Sequence, residues 1–538
     1  MKRLALLSGI ALATAGLLAA LAPAAEAQGT AATPRQGGVV RMTAPYAASF
    51  GNLDPHMSGR SQDGQVHMTI HRTLYIWDSA KGAPALELAT AATGSAGGTV
   101  WTFTLRDNAF FHNGRKMVAD DVVWSFNRLM EPGKGFVGAR WVRLIKGAVE
   151  RERGEAPEIS GIKKLGEHSV EISFTQKVEP GFLFYNMTTS ILPKEEVEKP
   201  TWATNPVGLG PFKFKEHIPG SRLVAERFDK FYKPGLPYLD RVEFPIMAEA
   251  SARDIAFRNK EVDTSILGPV QYVAYNNDAT LKKNILEVAE VFTRSMVMHH
   301  DKKPFDDVRV RQAINHAINA QVIVERLARN KAYRATSWLP ITVPGYDPDM
   351  KPYAYDPARA RALLAEAGYP NGFEFEWTTS QNESWGLPIV EAVIPMLAQV
   401  GIKVKVKVVE VAVLTDIALK GEFQAYIGSS QTGPDPLQTL RCYHSSTPRT
   451  SCNFTGYKNA EFDKLLDEAG TTDDPAKKLE LLKQANAHLY TAAPVWFFNY
   501  NKAVMAYQPW VHGLLGNPTE LVHQYPEFIW VDATSPAK

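Results

Sequence analysis

Cysteine is almost missing from this chain: only Cys442 and Cys452 occur in 538 residues. Two thiols cannot build a Cys-rich zinc module or a multi-bridge secreted scaffold. An excess of one charge is missing as well. With 59 Lys and Arg against 57 Asp and Glu, the chain carries no electrostatic footprint for nucleic acid or an anionic membrane surface. Beyond Leu21 no apolar run is long enough to span a bilayer, and there is no internal repeat or low-complexity tract. The common hydrolase signatures G-x-S-x-G and H-E-x-x-H and the P-loop are also absent. What remains of the enzyme class is an exported hydrolase whose catalytic groups lie far apart in sequence.

The N-terminus is where an apolar run does occur. Lys2 and Arg3 precede Leu4 to Leu21, and Pro23 and Ala25-Glu26-Ala27 follow, the pattern of a secretory leader cut before Gln28. No Cys stands at the cut, so the mature chain is expected to be exported and soluble without a lipid anchor. In an oxidising compartment, two nearby cysteines favour one local disulfide, Cys442 to Cys452, over a metal site or a nucleophile.

At this length two or three domains are expected. Gly38 to Met42 reads as a strand, Asn52 to Pro55 as a turn, and Gln62 to Leu74 as a helix carrying His67 and His71 on one face. Their spacing is that of a two-histidine metal pair. With no Glu between them and no third ligand, an ordinary polar helix face is the stronger reading. Trp101 to Leu105 alternates as a strand, Asn113-Gly114 is a hairpin turn, and Asp120 and Asp121 open a helix through Met130. Asn205 to Phe212 (NPVGLGPF) lacks the third glycine of a dinucleotide site and opens no helix, so it reads as a rigid bend packed against something close.

Arg294 to His300 reads as a strand, and Asp306 or Asp307 caps a helix running on through Val322, so this junction looks like the passage from one lobe to another. Asp356-Pro357 starts a helix that Gly368 stops. Phe373 to Thr378, the helix Leu387 to Val400 and Ile402 to Val406 then make a parallel β-α-β unit with a right-handed crossover. Asp474-Pro475 starts a last helix to about Thr491.

The order of motifs carries a further signal. NLDP (Asn52 to Pro55), TFTLRDNAFFHNGRKMVADDVVWSF (Thr102 to Phe126), NPVGLGPFKF (Asn205 to Phe214), EVD (Glu261 to Asp263), KPFDDVRVRQAINHAI (Lys303 to Ile318), YDPARARALLAEAGY (Tyr355 to Tyr369), PDP (Pro434 to Pro436) and GYKNAEFDKLLDEA (Gly456 to Ala469) follow one another over nearly the whole mature chain. In this order they resemble the family 5 extracellular solute-binding proteins, which include the dipeptide-, oligopeptide- and nickel-binding components of bacterial ABC importers. The resemblance implies an α/β fold: a two-lobe, periplasmic-binding-protein-like clamp of type II, cluster C-like, with an extra α+β subdomain on lobe 1. Its implied boundaries are leader 1–27, lobe 1 at 28–74, 203–297 and 500–538, extra subdomain 75–202, and lobe 2 at 298–499. It also implies a monomer that hands its ligand to permease subunits in the inner membrane, with no cofactor, no metal and no catalysis.

Site residues follow from the same resemblance. Many peptide-binding members place an Asp shortly before the Asp-Pro to hold the ligand's α-amino group. Thr432 stands there in this chain, Ser429 replaces a common Trp, and His299 replaces a common Asn. Asp435 offers a carboxylate, for which a helix-cap role before Pro436 competes. Trp385, with Asn382 beside it, and Tyr46 after the first strand are the aromatic and amide candidates, with core packing as the competing role for the rings. A peptide or peptide-like ligand is the expectation; glutathione, haem, an opine, an oligosaccharide or a nickel chelate are the other classes.

Overall fold

The structure is a computed structural model that describes residues 33–44, 50–382, 385–431, 433–449 and 452–537. The expected leader lies outside the described residues. Among the described residues no helix is long and apolar enough to cross a membrane.

Three larger sheets organise the chain. In the first, strands run in the order Val39–Arg41, Arg241–Pro245, Arg222–Arg227, Phe212–Ile218. Val40, Val242, Phe244 and Phe212 point into a core closed by Val66 and Ile70 of helix Ser61–Ile70 and by Trp510 and Ile529 from the end of the chain. A second four-stranded sheet, Ala89–Gly94, Val100–Leu105, Ser169–Ser173, Ile162–Gly166, packs with helix Ala119–Leu129 around Phe103, Phe126 and Phe184. This is the extra α+β module. Asp121 accepts from the Val118 N–H at its helix start, as a first-turn carboxylate should.

A seven-stranded sheet holds the rest, in the order Thr264–Ile266, Val495–Tyr507, Ile285–Met298, Ala425–Gln431, Glu374–Thr379, Lys403–Val408, with Ala332–Arg334 also on Val495–Tyr507. Glu374 pairs Lys403 in parallel register, so the expected β-α-β unit is present around helix Leu387–Ala398. The alternating lysines of Lys403–Val408 suit its place at the sheet edge, where charge opposes pairing with another chain. Two long strands of this sheet, Ile285–Met298 and Val495–Tyr507, run antiparallel to each other. Their register shifts between Ala289 and Thr293 and again between Arg294 and Ser295.

Three sequence expectations need correction. The strand expected at Arg294 to His300 begins at Ile285 and ends at Met298, because its first half pairs with Ala503 to Ala506. The helix expected through Val322 stops at Ala317: Asn319 accepts from the Val322 N–H and so caps a new short helix. Of the two aspartates before it, Asp307 is the cap, accepting from Arg309 N–H. The helix expected to reach Leu74 stops at Ile70, for reasons that belong to the site.

Cys442 and Cys452 form a disulfide with Cα atoms 5.1 Å apart. It closes a short loop, so replacing both cysteines by serine is expected to cost roughly 2–3 kcal/mol. Urea midpoints of the variant and the parent check this; an unchanged midpoint would mean that the loop is held by its other contacts.

Candidate functional site

Helix Ser61–Ile70 ends where the NPVGLGPF bend meets it. The Gly210 N–H donates to the Ile70 carbonyl at 2.8 Å, and the Arg72 guanidinium donates to the carbonyls of Met68 and His71. These donors replace the next helical turn. A Cβ on Gly208 would lie 2.0 Å from the Ile70 oxygen and one on Gly210 2.4 Å from that of Thr69, so only glycine permits the approach. The bend therefore packs as the sequence implies. His67 and His71 are buried rather than an exposed polar face; His67 Nε2 sits 3.0 Å from the Asn52 carbonyl, and burial lowers both pKa values. Among the described residues no group of three or more metal-ligating side chains converges.

The outer side of this helix lines a cavity of ≈ 60 Å³ shared with the extra module and the end of the chain. Arg60, Trp77, Arg140, Tyr185, Glu520 and His523 are among its walls. Glu520 and His523 lie 3.4 Å apart. Burial raises the Tyr185 hydroxyl's pKa; Arg140 opposes that, while the carboxylates of Asp435 and Glu520 add to it. Asp435, from the loop after Ala425–Gln431, is not among the residues lining the cavity, but its carboxylate acts on Tyr185 in that wall. Val291 N–H donates to the Pro518 carbonyl at 2.9 Å, which sets the 517–523 segment against the crossing strand.

Sequence candidates fall into three groups. Tyr46 and Thr432 lie outside the described residues. Asp435, Asn382 and Trp385 sit on loops that leave the same edge of the sheet, after the parallel neighbours Ala425–Gln431 and Glu374–Thr379. Asp435 accepts from Leu437 N–H at 2.9 Å, the cap role, and burial raises its pKa. Asn382 Oδ1 accepts from Trp385 N–H at 3.1 Å and shapes the loop, while the Trp385 ring packs on apolar clusters to both sides. His299 is the third group. It follows Met298, which pairs with Ala425, whereas Gln431 at the loop end pairs with Phe292. Six register steps, about 20 Å at strand spacing, separate it from those loops. It packs on Phe423, and burial takes its pKa to about 4. The structure does not bring His299 together with the other candidates.

Sequence reading missed the walls of the cavity itself. Arg140 lies in FVGARWVRL, where a cation beside Trp141 was the available signal. Asn499 is a second omission. It is 1% exposed, faces Arg294 in the register, and neither its amide oxygen nor its nitrogen has a partner among the described residues. A buried amide left unpaired costs about 1–3 kcal/mol, so such a group in a native strand asks for an explanation. A lone amide in the apolar run VWFFNY was its trace in the sequence.

Comparison with known proteins adds the following. The sequence profile of the bacterial extracellular solute-binding proteins, family 5, matches residues 83–452. The dipeptide-binding protein of Escherichia coli is 28% identical over 79% of this chain and 82% of its own length. Heme-binding protein A of Haemophilus influenzae is 27% identical over 81% of this chain and 83% of its own. Among solved structures, the ABC transporter-associated periplasmic binding protein DppA from Helicobacter pylori, in complex with the peptide STSA, superposes with a TM-score of 0.78 at 24% identity. It covers 93% of this chain and 99% of that one.

Proposed function

The chain belongs to the bacterial extracellular solute-binding proteins of family 5, and from that premise we propose that it captures a peptide or peptide-like solute between its lobes and delivers it to an ABC permease. One observation carries the reading: the polar cavity is walled by helix Ser61–Ile70, the extra module and the 517–525 segment, and the Asp435 carboxylate of the facing loop acts on Tyr185 in that wall. A solute held between this wall and the Asp435 loop touches both lobes, so its contacts favour their closed arrangement over the open one. The crossing strands Ile285–Met298 and Val495–Tyr507, with their shifted register, are the segments about which the lobes turn.

The lobe boundaries belong to the proposal: 28–74, 203–297 and 500–538 for the first, 75–202 for the extra module, and 298–499 for the second. So do export by a cleaved leader, residence in the periplasm, action as a monomer and the absence of turnover. The names of relatives that bind dipeptides, glutathione and haem support the role and set the panel for its test.

A ligand that binds only the folded form stabilises it by about 2.7 kcal/mol at a hundredfold over its dissociation constant. Short peptides are expected to raise the melting temperature, while haem, an opine, an oligosaccharide and a nickel chelate are expected not to. A shift with one of the latter and none with peptides or glutathione would defeat the peptide assignment. Consumption of a peptide in stoichiometric excess would defeat the binding-only role.

A further inference from the structure

We propose that Arg140, Trp77 and Tyr185 form a subsite for a carboxylate end of the ligand, an inference that rests on the peptide-like reading above and names the group that reads the ligand's charge.

All three line the same cavity, and Tyr185 joins the other two. Its ring lies 5.7 Å from that of Trp77, and its hydroxyl lies within the field of the Arg140 guanidinium. Among the described residues none takes up the donor that each presents. Trp77 is 4% exposed and its indole N–H has no acceptor among the described residues. Among the described residues Arg140 has no carboxylate within ion-pair distance and no hydrogen bond to the Tyr185 hydroxyl; its guanidinium lies 4.5 Å from the ring centroid of the adjacent Trp141.

Arg140 is open to solvent, yet desolvation by the surrounding protein lowers its pKa below the ordinary arginine value. A guanidinium in a concave wall, reachable by a ligand and without a counter-ion, gains most from a planar oxyanion, which it binds through two parallel N–H donors. An indole N–H and a phenol on the same wall complete a donor set for one carboxylate. The volume of ≈ 60 Å³ suits an end group with a few waters rather than a whole peptide.

The acids nearby are otherwise engaged. Glu520 faces His523 at 3.4 Å, and Asp435 accepts from Leu437 N–H. Arg60, the other cation of the cavity, has Asp63 at 3.9 Å. These partners leave Arg140 as the cation of this wall without an acid of its own among the described residues.

The test pairs each ligand with its uncharged form. Di- and tripeptides and glutathione, as free acids and as C-terminal amides or glycyl esters, are titrated against the parent, Arg140→Gln and Trp77→Phe by calorimetry. The parent is expected to prefer the acid of at least one pair by tenfold or more. Arg140→Gln should weaken the acid to the level of the amide and leave the amide unchanged, and Trp77→Phe should do the same in smaller measure. Melting of the unliganded variants at the parent temperature shows that they fold. If acid and amide bind the parent alike, or if Arg140→Gln keeps the preference, the subsite is wrong and the peptide-like reading stands. If no member of the panel binds the parent, that reading fails and the subsite fails with it.

Discussion

Replacing Arg72 by alanine is expected to lower the unfolding free energy by about 3–5 kcal/mol, the cost of leaving buried charges without their partner. Arg72 and Glu527 are both 0% exposed in their side chains and meet at 2.7 Å across 455 residues of sequence. Glu87 lies 3.4 Å from Arg72 Nε, and Lys233 lies 2.8 Å from Glu87 and 3.4 Å from Glu527. Burial disfavours the Arg72 charge; Glu527, Tyr232 and Glu87 more than offset it, so its pKa is raised. Glu527 is held below the usual carboxylate range: burial works against its charge, and Arg72 and Lys233 outweigh burial. Alanine would leave two buried carboxylates sharing Lys233 and would free the Met68 and His71 carbonyls at the helix end. The exposed pair Arg359–Glu366, at 3.5 Å, is the control; its loss should cost less than about 0.5 kcal/mol. Urea unfolding of both variants compares them, and a loss below about 1 kcal/mol at Arg72 would mean that the network contributes no more than a surface pair.

Glu290 is expected to make stability depend on pH in the opposite sense to most carboxylates. It lies in the irregular part of the crossing strand Ile285–Met298, accepts from Leu521 N–H at 2.6 Å, and accepts from the Asn501 amide of the other crossing strand. Burial first, then Glu520, raises its pKa to about 7, against the lowering pull of Leu521 N–H, Asn501 and Lys331. Arg294, on the same strand, donates to Asn501 at 2.8 Å, while Lys502 faces Glu287 at 3.9 Å.

Because the folded state holds this proton more tightly than the unfolded one, its stabilising effect is complete below about pH 4.3. That effect is lost as pH rises through about 7. A shift of this size corresponds to roughly 3 kcal/mol. Lys331, drawn by burial to about 8 from 10.5, acts in a different window: its contribution rises as pH climbs from about 8. The melting temperature of the parent is thus expected to fall between pH 5 and 8 more steeply than that of Glu290→Gln. Parallel curves for the two would show that Glu290 titrates like an ordinary glutamate.

The first part of the site was hidden because its chemistry is assembled from segments that do not neighbour in sequence. Trp77, Arg140, Tyr185 and Glu520 come together only through packing, and none belongs to a spaced motif. Local rules served the fold better. Asp307, Asp356, Asp435, Asn459 and Asp474 each cap the helix that follows, as short polar side chains before a helix should. The parallel unit around Leu387–Ala398 was legible from alternation and Gly401. Errors arose where tertiary partners overrode local pattern: the helix that stops at Ile70 under donors from Gly210 and Arg72, and the strand that extends back to Ile285 along a distant partner. His299 stands apart from the other candidates for a related reason, since strand alternation does not say which end of the sheet a residue reaches.

The path of the chain has one more consequence. Thr264–Ile266 pairs with Met505 to Tyr507, and Trp510 and Ile529 close the core over Val40 and Val242. The first lobe therefore cannot complete itself until almost the last residue has been made. The extra module, whose sheet and core lie between residues 74 and 232, can form early, whereas the first lobe waits for contacts that arrive last. Early formation of the module and late closure of the first lobe are thus written into the same strand order.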